Sequence, residues 1–246
     1  RWSTASPAPS PTAGGDTVTV AMFVASVVLL AAFAVVESKV KAPPLLPLRV
    51  VTDRNRGGIY LSLGLAIIGM FGLFLFLTYY LQVVQGYSPV KTGFAFLPMV
   101  AGMITGSTQI GTRLMTRVAP RLLMGPGFLV AAVGMLLLTQ LEIDSSYPAL
   151  LLPAMVLLGL GMGTAFMPAM SMATQGVQPR DAGVASAMVN TSQQVGGAIG
   201  TALLNTIASS ATAAYIKDHI AAAGTSKPGQ ELVQLQGLVH GYTNAI

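Results

Sequence analysis

A polar face on one apolar segment offers the clearest chemistry in the sequence. Residues 190–200, NTSQQVGGAIG, place amide and hydroxyl side chains inside an apolar run that covers residues 184–207. Residues that step by three or four positions share one face of an α-helix. Because amides and hydroxyls carry no charge at neutral pH, such a face suits hydrogen bonding to a polar partner and not proton transfer. The face holds Gly183, Ser186, Asn190, Gln194, Gly197, Thr201 and Asn205, with Gln193 beside it.

Two interpretations of this face remain open. In the structural interpretation, the side-chain amides hydrogen-bond to neighbouring helices, and each hydrogen bond stabilises the packing by about 0.6 to 2 kcal/mol. Gly196 and Gly200 then allow a helix to approach closely. In the functional one, the face lines a water-filled cavity, since lipid cannot satisfy polar groups. The structural interpretation is favoured for any single residue, and cavity lining is favoured for the face as a whole. The pathway candidates are Asn190, Gln193, Gln194 and Thr201, followed by Thr105 and Gln109 on an earlier segment.

The composition places this face inside a membrane protein. Apolar residues make up 53% of the chain and charged residues 9%, whereas a soluble domain carries about 25% charge. Windows of roughly 20 mostly uncharged residues, enough to cross a hydrocarbon core of about 30 Å, occur six times. They cover residues 18–36, 58–82, 93–112, 122–141, 149–168 and 184–207. The sequence therefore predicts an all-α integral membrane protein with six transmembrane helices.

The loops between these windows differ in charge, which predicts their sides of the membrane. Residues 37–57, 113–121 and 169–183 hold most of the basic residues: Lys39, Lys41, Arg49, Arg54, Arg56, Arg113, Arg117, Arg121 and Arg180. By the positive-inside rule these loops lie in the cytoplasm, and both ends of the chain lie outside. Because the basic residues cluster in loops and not on one soluble face, nucleic acid is not an expected partner. The predicted location is the cell membrane, which the chain crosses several times.

Small residues recur where the helices are expected to pack. Small side chains let a neighbouring membrane helix approach closely. Three glycines within five residues also weaken a helix, by about 1 kcal/mol each relative to alanine, so a bend or very close packing is expected at residues 159–163. The packing candidates are Gly102, Gly106, Gly159, Gly161, Gly163, Gly196, Gly197 and Gly200.

Two adjacent tyrosines mark one end of the second window. Tyr79 and Tyr80 lie at the end that the charge pattern places outside. Tyrosine is enriched at membrane interfaces, where its amphipathic ring sits at the level of the headgroups. A place in an interfacial belt is therefore favoured over a role in stacking on a ligand.

Several classes of chemistry lack support. The chain has no cysteine, and its two histidines, His219 and His240, form no ligand cluster in the sequence, so no metal site or other cofactor is expected. No Walker motif, HExxH or Gly-x-Ser-x-Gly occurs, which argues against ATP-driven transport and against an enzyme. No carboxylate or histidine lies well inside a window, although coupling to protons generally needs an ionisable group in the membrane.

Four stretches together resemble one family. They read ESKVKAPPLLPLRV, YLQVVQGYSPVKTGFAFLP, RVAPRLL and DAGVASAMVNTSQQVGGAIGTALLNT. In this order and at these spacings they resemble the fourteen-span drug and proton antiporters of the major facilitator superfamily. The resemblance covers almost the whole chain and is strongest at residues 86–89 and 190–200.

The resemblance implies a domain organisation. The six windows would correspond to the eighth through thirteenth helices, a partial C-terminal bundle plus one linker helix. Residues 1–17 would be an extracytoplasmic loop, 18–36 the linker helix and 37–57 a cytoplasmic connector. Residues 58–207 would form five helices of the C-terminal bundle, and 208–246 an extracytoplasmic loop before a last helix. By this resemblance, the last helix and the N-terminal half would lie outside this sequence.

The basic turn TRLMTRVAPR resembles the second-half copy of the family's cytoplasmic gate motif, whose first-half form reads G-x-x-x-D-R-x-G-R-R. Arg117 and Arg121 match basic positions, while Thr116 occupies the position of the acid. Without the acid, a charge relay is not implied. The implied role of Arg113, Arg117 and Arg121 is that of a cytoplasmic anchor or gate contact.

The resemblance implies a function in efflux. The expected protein exports hydrophobic or cationic drug-like molecules by proton antiport, and alternates access between two bundles. Its partners would be the lipid bilayer, the substrate, protons and the N-terminal half, which would carry the coupling acids. The main rival is a membrane sensor or scaffold that keeps the fold without transporting. A channel is less favoured because no ring of charges or repeated filter appears, and a membrane-embedded enzyme is less favoured still.

Overall fold

The computed structural model describes residues 17–39, 53–219 and 227–245, which form helices joined by turns. Most of the predicted loop at residues 1–17 and residues 40–52 of the predicted connector lie outside these ranges. The α-helices are α1 Thr17–Lys39, α2 Arg54–Tyr79, α3 Pro89–Ala95, α4 Leu97–Thr105, α5 Pro120–Leu138, α6 Leu152–Thr174, α7 Ala182–His219 and α8 Lys227–Ala245. The prediction of an all-α membrane protein is confirmed.

Three π-helical segments adjoin the α-helices. Tyr80–Val84 continues α2, and Tyr147–Leu151 precedes α6. Gly106–Thr112 continues α4 and leads to a last α-helical turn, Arg113–Met115. A short 3₁₀ turn, Pro179–Asp181, precedes α7. The π-turns were not predicted, because an extra residue in one turn leaves no clear mark in the hydrophobic pattern.

The chain divides into two compact units, residues 1–48 and residues 49–246. In the first unit, α1 exposes nearly all of its described side chains, including Phe23 and Leu29. Its one polar side chain near the middle is satisfied locally, since Ser26 Oγ donates to the Met22 carbonyl at 2.8 Å. A helix that is apolar on every side suits a lipid environment.

The second unit is a bundle in which α6 packs along both α4 and α5, while α7 packs along α2 and α8. One buried cluster contains Leu73, Leu77, Tyr80, Leu138, Leu151, Met155 and Leu158. A second contains Ile59, Tyr60, Leu63, Ala169, Ala173 and Val189. Helix α2 contributes to both clusters and therefore contacts α6 near both of its ends.

Local signals set the helix starts that orient this bundle. The Asp53 side chain accepts hydrogen bonds from the backbone amides of Asn55 and Arg56 and so caps α2. Ser88 Oγ accepts from the Lys91 amide, and Pro89 fills the first position of α3. The turn between α2 and α3 passes through Gly86 at φ +65°, a backbone conformation that favours glycine.

Four helices of the described ranges are long and apolar enough to cross a membrane, judged by length and composition. They are Val20–Glu37, Arg54–Val84, Pro120–Leu138 and Tyr147–Thr174. The predicted spans at residues 93–112 and 184–207 are not among them. The first consists of shorter helical pieces, α3, α4 and a π-helical segment, and the second carries the polar face of α7.

The structure differs from the expected loop at residues 208–246. Helix α7 continues to His219, and α8 covers Lys227–Ala245. The sequence SSATAAYIKDH is rich in alanine, which has the highest helix propensity. Two glycines, Gly237 and Gly241, bring α8 close to α7, so tertiary contacts support the second helix. Hydropathy alone predicted neither the extension of α7 beyond residue 207 nor α8.

Candidate functional site

The polar face of α7 lies on the surface of the bundle. Asn190, Gln194 and Thr201 are exposed, and Gln193 is half-buried. Thr201 Oγ1 donates to the Gly197 carbonyl of its own helix at 2.8 Å. Within the described ranges, the side-chain amides of Asn190, Gln193 and Gln194 form no hydrogen bond to another residue. These side chains therefore do not tie α7 to a neighbouring helix of the bundle.

The face of α7 next to the polar one is packed against α2. A β-carbon added at Gly196 would collide with the Gly64 carbonyl, and one at Gly200 would lie 2.8 Å from Ile68 Cα. Real β-carbons do not approach that closely, so only glycine lets these two backbones meet. Val189 is buried on the same side. Helix α7 thus has one face that packs and one that is free.

An aromatic ring borders the polar face. A β-carbon at Gly197 would lie 3.3 Å from the Phe71 ring, which is 52% exposed. Phe71 belongs to α2, so the contact between α2 and α7 places an apolar ring against Gly197, three residues after Gln194. A surface that combines an aromatic ring with uncharged hydrogen-bonding groups suits amphipathic organic molecules.

The pathway candidates on α4 occupy a different helix. Thr105 and Gln109 are exposed, and Thr105 Oγ1 donates to the Ala101 carbonyl at 2.8 Å. Thr108 also bonds within its own helix, to the Ile104 carbonyl at 2.7 Å. Helix α4 packs mainly on α6, whereas α7 packs mainly on α2 and α8. The structure therefore does not bring the two sets of candidates into contact with each other.

The remaining packing candidates lie where α4 meets α6. A β-carbon at Gly102 would lie 2.9 Å from the Val156 carbonyl oxygen, and one at Gly106 would lie 3.0 Å from the Thr164 amide. From the other side, Gly159 and Gly163 meet the backbone of Met99 and Met103, while Gly161 faces Gly127 and Ala131 on α5. The glycines of α6 therefore allow two neighbouring helices, α4 and α5, to approach closely on opposite sides of α6.

Three glycines outside the predicted set take part in the same packing. A β-carbon would lie 2.8 Å from the Ala165 amide at Gly127 and 2.9 Å from the Ala154 carbonyl at Gly134, both on α5. At Gly64 of α2 it would lie 3.3 Å from the Ser192 carbonyl. The seven-residue spacing of Gly127 and Gly134 was the available signal, since that spacing returns to one side of a helix.

At one end of the bundle, a polar network joins α2 to the turn between α5 and α6. Tyr80 is 1% exposed, and its hydroxyl donates to the Glu142 carbonyl at 2.6 Å. Gln85 Nε2 lies 3.0 Å from the Tyr80 hydroxyl and 3.2 Å from the Ser145 carbonyl. The sequence placed Tyr80 in an interfacial belt, whereas the structure buries its ring. Tyr79, which is 49% exposed, keeps the surface position.

The opposite end carries the arginines. Arg113, Arg117 and Arg121 are exposed at the turn between α4 and α5. Arg56, which was not among the candidates, extends Nη2 to within 3.4 Å of the Gly176 carbonyl, just beyond the end of α6. The nearby Tyr60 hydroxyl donates to the Ala173 carbonyl at 3.4 Å. Helix α2 is thus hydrogen-bonded at both ends to segments that flank α6.

Comparison with known proteins defines the family. Residues 12–201 match the model of the Major Facilitator Superfamily. A puromycin resistance protein of Streptomyces alboniger is 53% identical over 234 residues, which make up 94% of this chain and 45% of that protein. A cephamycin export protein of Amycolatopsis lactamdurans is 36% identical over 183 residues, 74% of this chain and 38% of that protein.

A tetracenomycin C resistance and export protein of Streptomyces glaucescens is 32% identical over 216 residues, 87% of this chain and 39% of that protein. The chain therefore spans about half the length, or less, of the curated relatives it matches. The family model covers well over half of the chain and includes the polar face up to Thr201. This chain belongs to the Major Facilitator Superfamily.

Proposed function

We propose that this chain is the C-terminal part of an efflux transporter of the cell membrane that exports hydrophobic or cationic drug-like molecules. The names of its relatives, which describe puromycin resistance and the export of cephamycin and tetracenomycin C, support this proposal. The observation that carries it is the exposed polar face of α7, a helix that glycine contacts hold against α2.

The environment of that face supports a water-filled pathway. Exposed amides in a hydrocarbon core leave several hydrogen-bonding groups unsatisfied, at a cost that lipid cannot offset. Asn190 and Gln194 find no partner among the described residues of this bundle. A second bundle and the water between the two bundles would supply that partner, as alternating access requires.

The chemistry of the face favours recognition without charge pairing. The side-chain amides of Gln194 and Asn190 can both donate and accept hydrogen bonds, and Phe71 offers an exposed ring at Gly197 of the same face. A substrate with an aromatic part and several polar groups would contact both kinds of surface. Few fixed charges at the face would also allow one site to accept molecules that differ in their polar groups.

Proton antiport is the coupling that we propose. The described transmembrane segments hold no carboxylate or histidine away from their ends, so the coupling acids would lie in the N-terminal half, the other expected partner of this bundle. In this arrangement the chain shapes the substrate pathway. The exposed Arg113, Arg117 and Arg121 would anchor the turn between α4 and α5 at the cytoplasmic surface.

Efflux by the full-length protein tests the proposal. In cells that express the variants at equal levels, Asn190→Ala combined with Gln194→Ala is expected to reduce ethidium or antibiotic efflux and to change the substrate range. Thr206→Ala is a matched control, because Thr206 is exposed on a different side of α7 and bonds only to the Ala202 carbonyl of its own helix.

Addition of a proton uncoupler separates the mechanisms. Efflux that stops on uncoupling supports antiport, and efflux that persists argues against it. Unchanged efflux and substrate range in the double variant would remove the polar face from the pathway. A complete absence of transport by the unmodified protein would instead favour the sensor or scaffold, which keeps the fold without moving a substrate.

A further inference from the structure

The polar face of α7 is free along its length but covered just beyond its outer end. Steps of three and four residues carry this face from Asn205 to Ala208, Thr212 and Ile216 on the same side of the helix. Asn205 is exposed, whereas Ala208 is 3% exposed and Thr212 and Ile216 are half-buried. The continuation of the polar face is therefore closed off from solvent.

Helix α8 forms this cover through two glycines. A β-carbon added at Gly237 would lie 2.8 Å from Ile216 Cγ1. One added at Gly241 would collide with the Thr212 side chain and the Ala208 carbonyl. Because neither glycine carries a side chain, α8 lies directly on the stripe that continues the polar face.

The covered part of α7 extends past the membrane core. Helix α7 has 38 residues, which at about 1.5 Å per residue gives a length of about 57 Å. The hydrocarbon core is about 30 Å thick. Since α7 begins at Ala182, beside Arg180 at the end that the charge pattern places in the cytoplasm, we expect the part from Ala208 onward to lie on the outer side. Gln234 and Asn244 of α8 are exposed, as suits a helix in water.

Apolar and aromatic contacts hold α8 at the outer end of the bundle. Tyr242 stacks on Phe76 of α2 with ring centroids 5.2 Å apart. Val239 is 6% exposed and belongs to the same buried cluster as Leu141, which follows α5. Contacts of this kind can separate and form again without leaving a buried polar group unsatisfied. Their chemistry therefore suits a helix that docks reversibly.

We propose that α8 is a lid over the outer end of the polar face, and that it moves away from α7 when a substrate leaves. This inference rests on the proposed function, because a lid matters only if the polar face lines a pathway. A molecule that moves outward along the face meets α8 just beyond Asn205. The lid acts on release, whereas Asn190 and Gln194 act on recognition.

A reversible disulfide tests whether α8 must move. In a cysteine-free background of the full-length protein, Ile216→Cys combined with Gly237→Cys brings two sulfur atoms within bonding reach, because a β-carbon at Gly237 lies next to Ile216 Cγ1. Oxidation is expected to reduce ethidium efflux to the level of cells without the protein, and a reducing agent is expected to restore it. Gly237→Cys alone is the matched control and should transport equally before and after oxidation.

The outcomes of this experiment separate the lid from the proposed function. Efflux that persists after complete formation of the disulfide would overturn the lid and leave the proposed function intact. Absence of efflux in the unmodified protein would overturn the proposed function and the lid with it.

A labelling experiment tests the docking of α8 without relying on transport. Thr212→Cys, which lies under Gly241, is expected to react slowly with a membrane-impermeant thiol reagent added outside. Adding Tyr242→Ala, which removes the stack on Phe76, is expected to raise that rate about fivefold, the factor to which one aromatic pair corresponds. Adding the exposed Asn244→Ala instead is the control and should leave the rate unchanged. Equal rates with and without Tyr242→Ala would also overturn the proposal.

Discussion

Tyr80 is the residue through which α2 holds the turn between α5 and α6. Its buried hydroxyl donates to the Glu142 carbonyl and accepts from Gln85, whose amide also reaches the carbonyls of Ile143 and Ser145. One phenol therefore organises the polar backbone of a whole turn. An unsatisfied carbonyl in this half-buried position would cost more than the hydrogen bond itself contributes.

Removal of that hydroxyl should be measurable. Tyr80→Phe is expected to lower the free energy of unfolding by about 1 to 3 kcal/mol, because the Glu142 carbonyl loses its donor. Tyr79→Phe is the matched control, and its effect is expected to stay within about 0.5 kcal/mol since this ring is half exposed. Thermal unfolding of the purified full-length proteins compares the two. Equal losses of stability would argue against the network.

The different fates of these two tyrosines show what a sequence can indicate at this scale. Adjacent residues on an α-helix point about 100° apart, so one of the pair can be buried while the other faces lipid or water. Hydropathy and position predict that a tyrosine belongs near the interface. They do not reveal that residues 142–145, which lie 58 to 62 positions further along the chain, offer three carbonyl groups to Tyr80 and Gln85.

At the scale of the elements, α6 is the helix around which half of the bundle is arranged. Its glycines allow the backbones of α4 and α5 to approach from two sides. The sequence predicted close packing for the run at residues 159–163, and the structure places this run on both contacts. The partner glycines of α5 were not predicted, because glycines in an apolar helix also occur without a packing role.

The same substitution at two glycines tests this packing. Gly161→Ala is expected to destabilise the protein by about 1 to 3 kcal/mol, because the added methyl group meets the backbone of Gly127 and Ala131. Gly125→Ala should be neutral or stabilising by up to about 1 kcal/mol, since no other part of the described structure comes within 4 Å of the added carbon. The yield of folded protein and the midpoint of thermal unfolding provide the comparison. A stable Gly161→Ala variant would show that α5 can move away.

For the whole molecule, the decisive feature is the contrast between the two faces of α7. This helix was predicted as a span, yet its composition is too polar to qualify by hydropathy alone. The family and the all-α membrane fold were predictable, because they depend on composition and on motifs that are local in sequence. The sequence does not show directly which side of α7 is free of helix contacts. That side could be identified as the polar face only on the assumption that amide side chains do not face lipid.

Thiol accessibility tests that assumption. Gln194 and Val195 are neighbours on α7 and both are exposed, Val195 by 51%. In a cysteine-free background of the full-length protein, Gln194→Cys is expected to react with a membrane-impermeant thiol reagent because water reaches it and allows the thiolate to form. Val195→Cys, on the side expected to face lipid, should react far more slowly. Similar rates at both positions would contradict a pathway along the polar face.

Where Gly64 faces Gly196 and Ile68 faces Gly200, two main chains meet with no side chain between them. A contact made of side chains can be rearranged through changes of rotamer, but a contact between main chains has no rotamers to exchange. Helices α2 and α7 therefore have no easy way to slide past each other. Any rocking motion is expected to carry the two helices together, as one rigid pair.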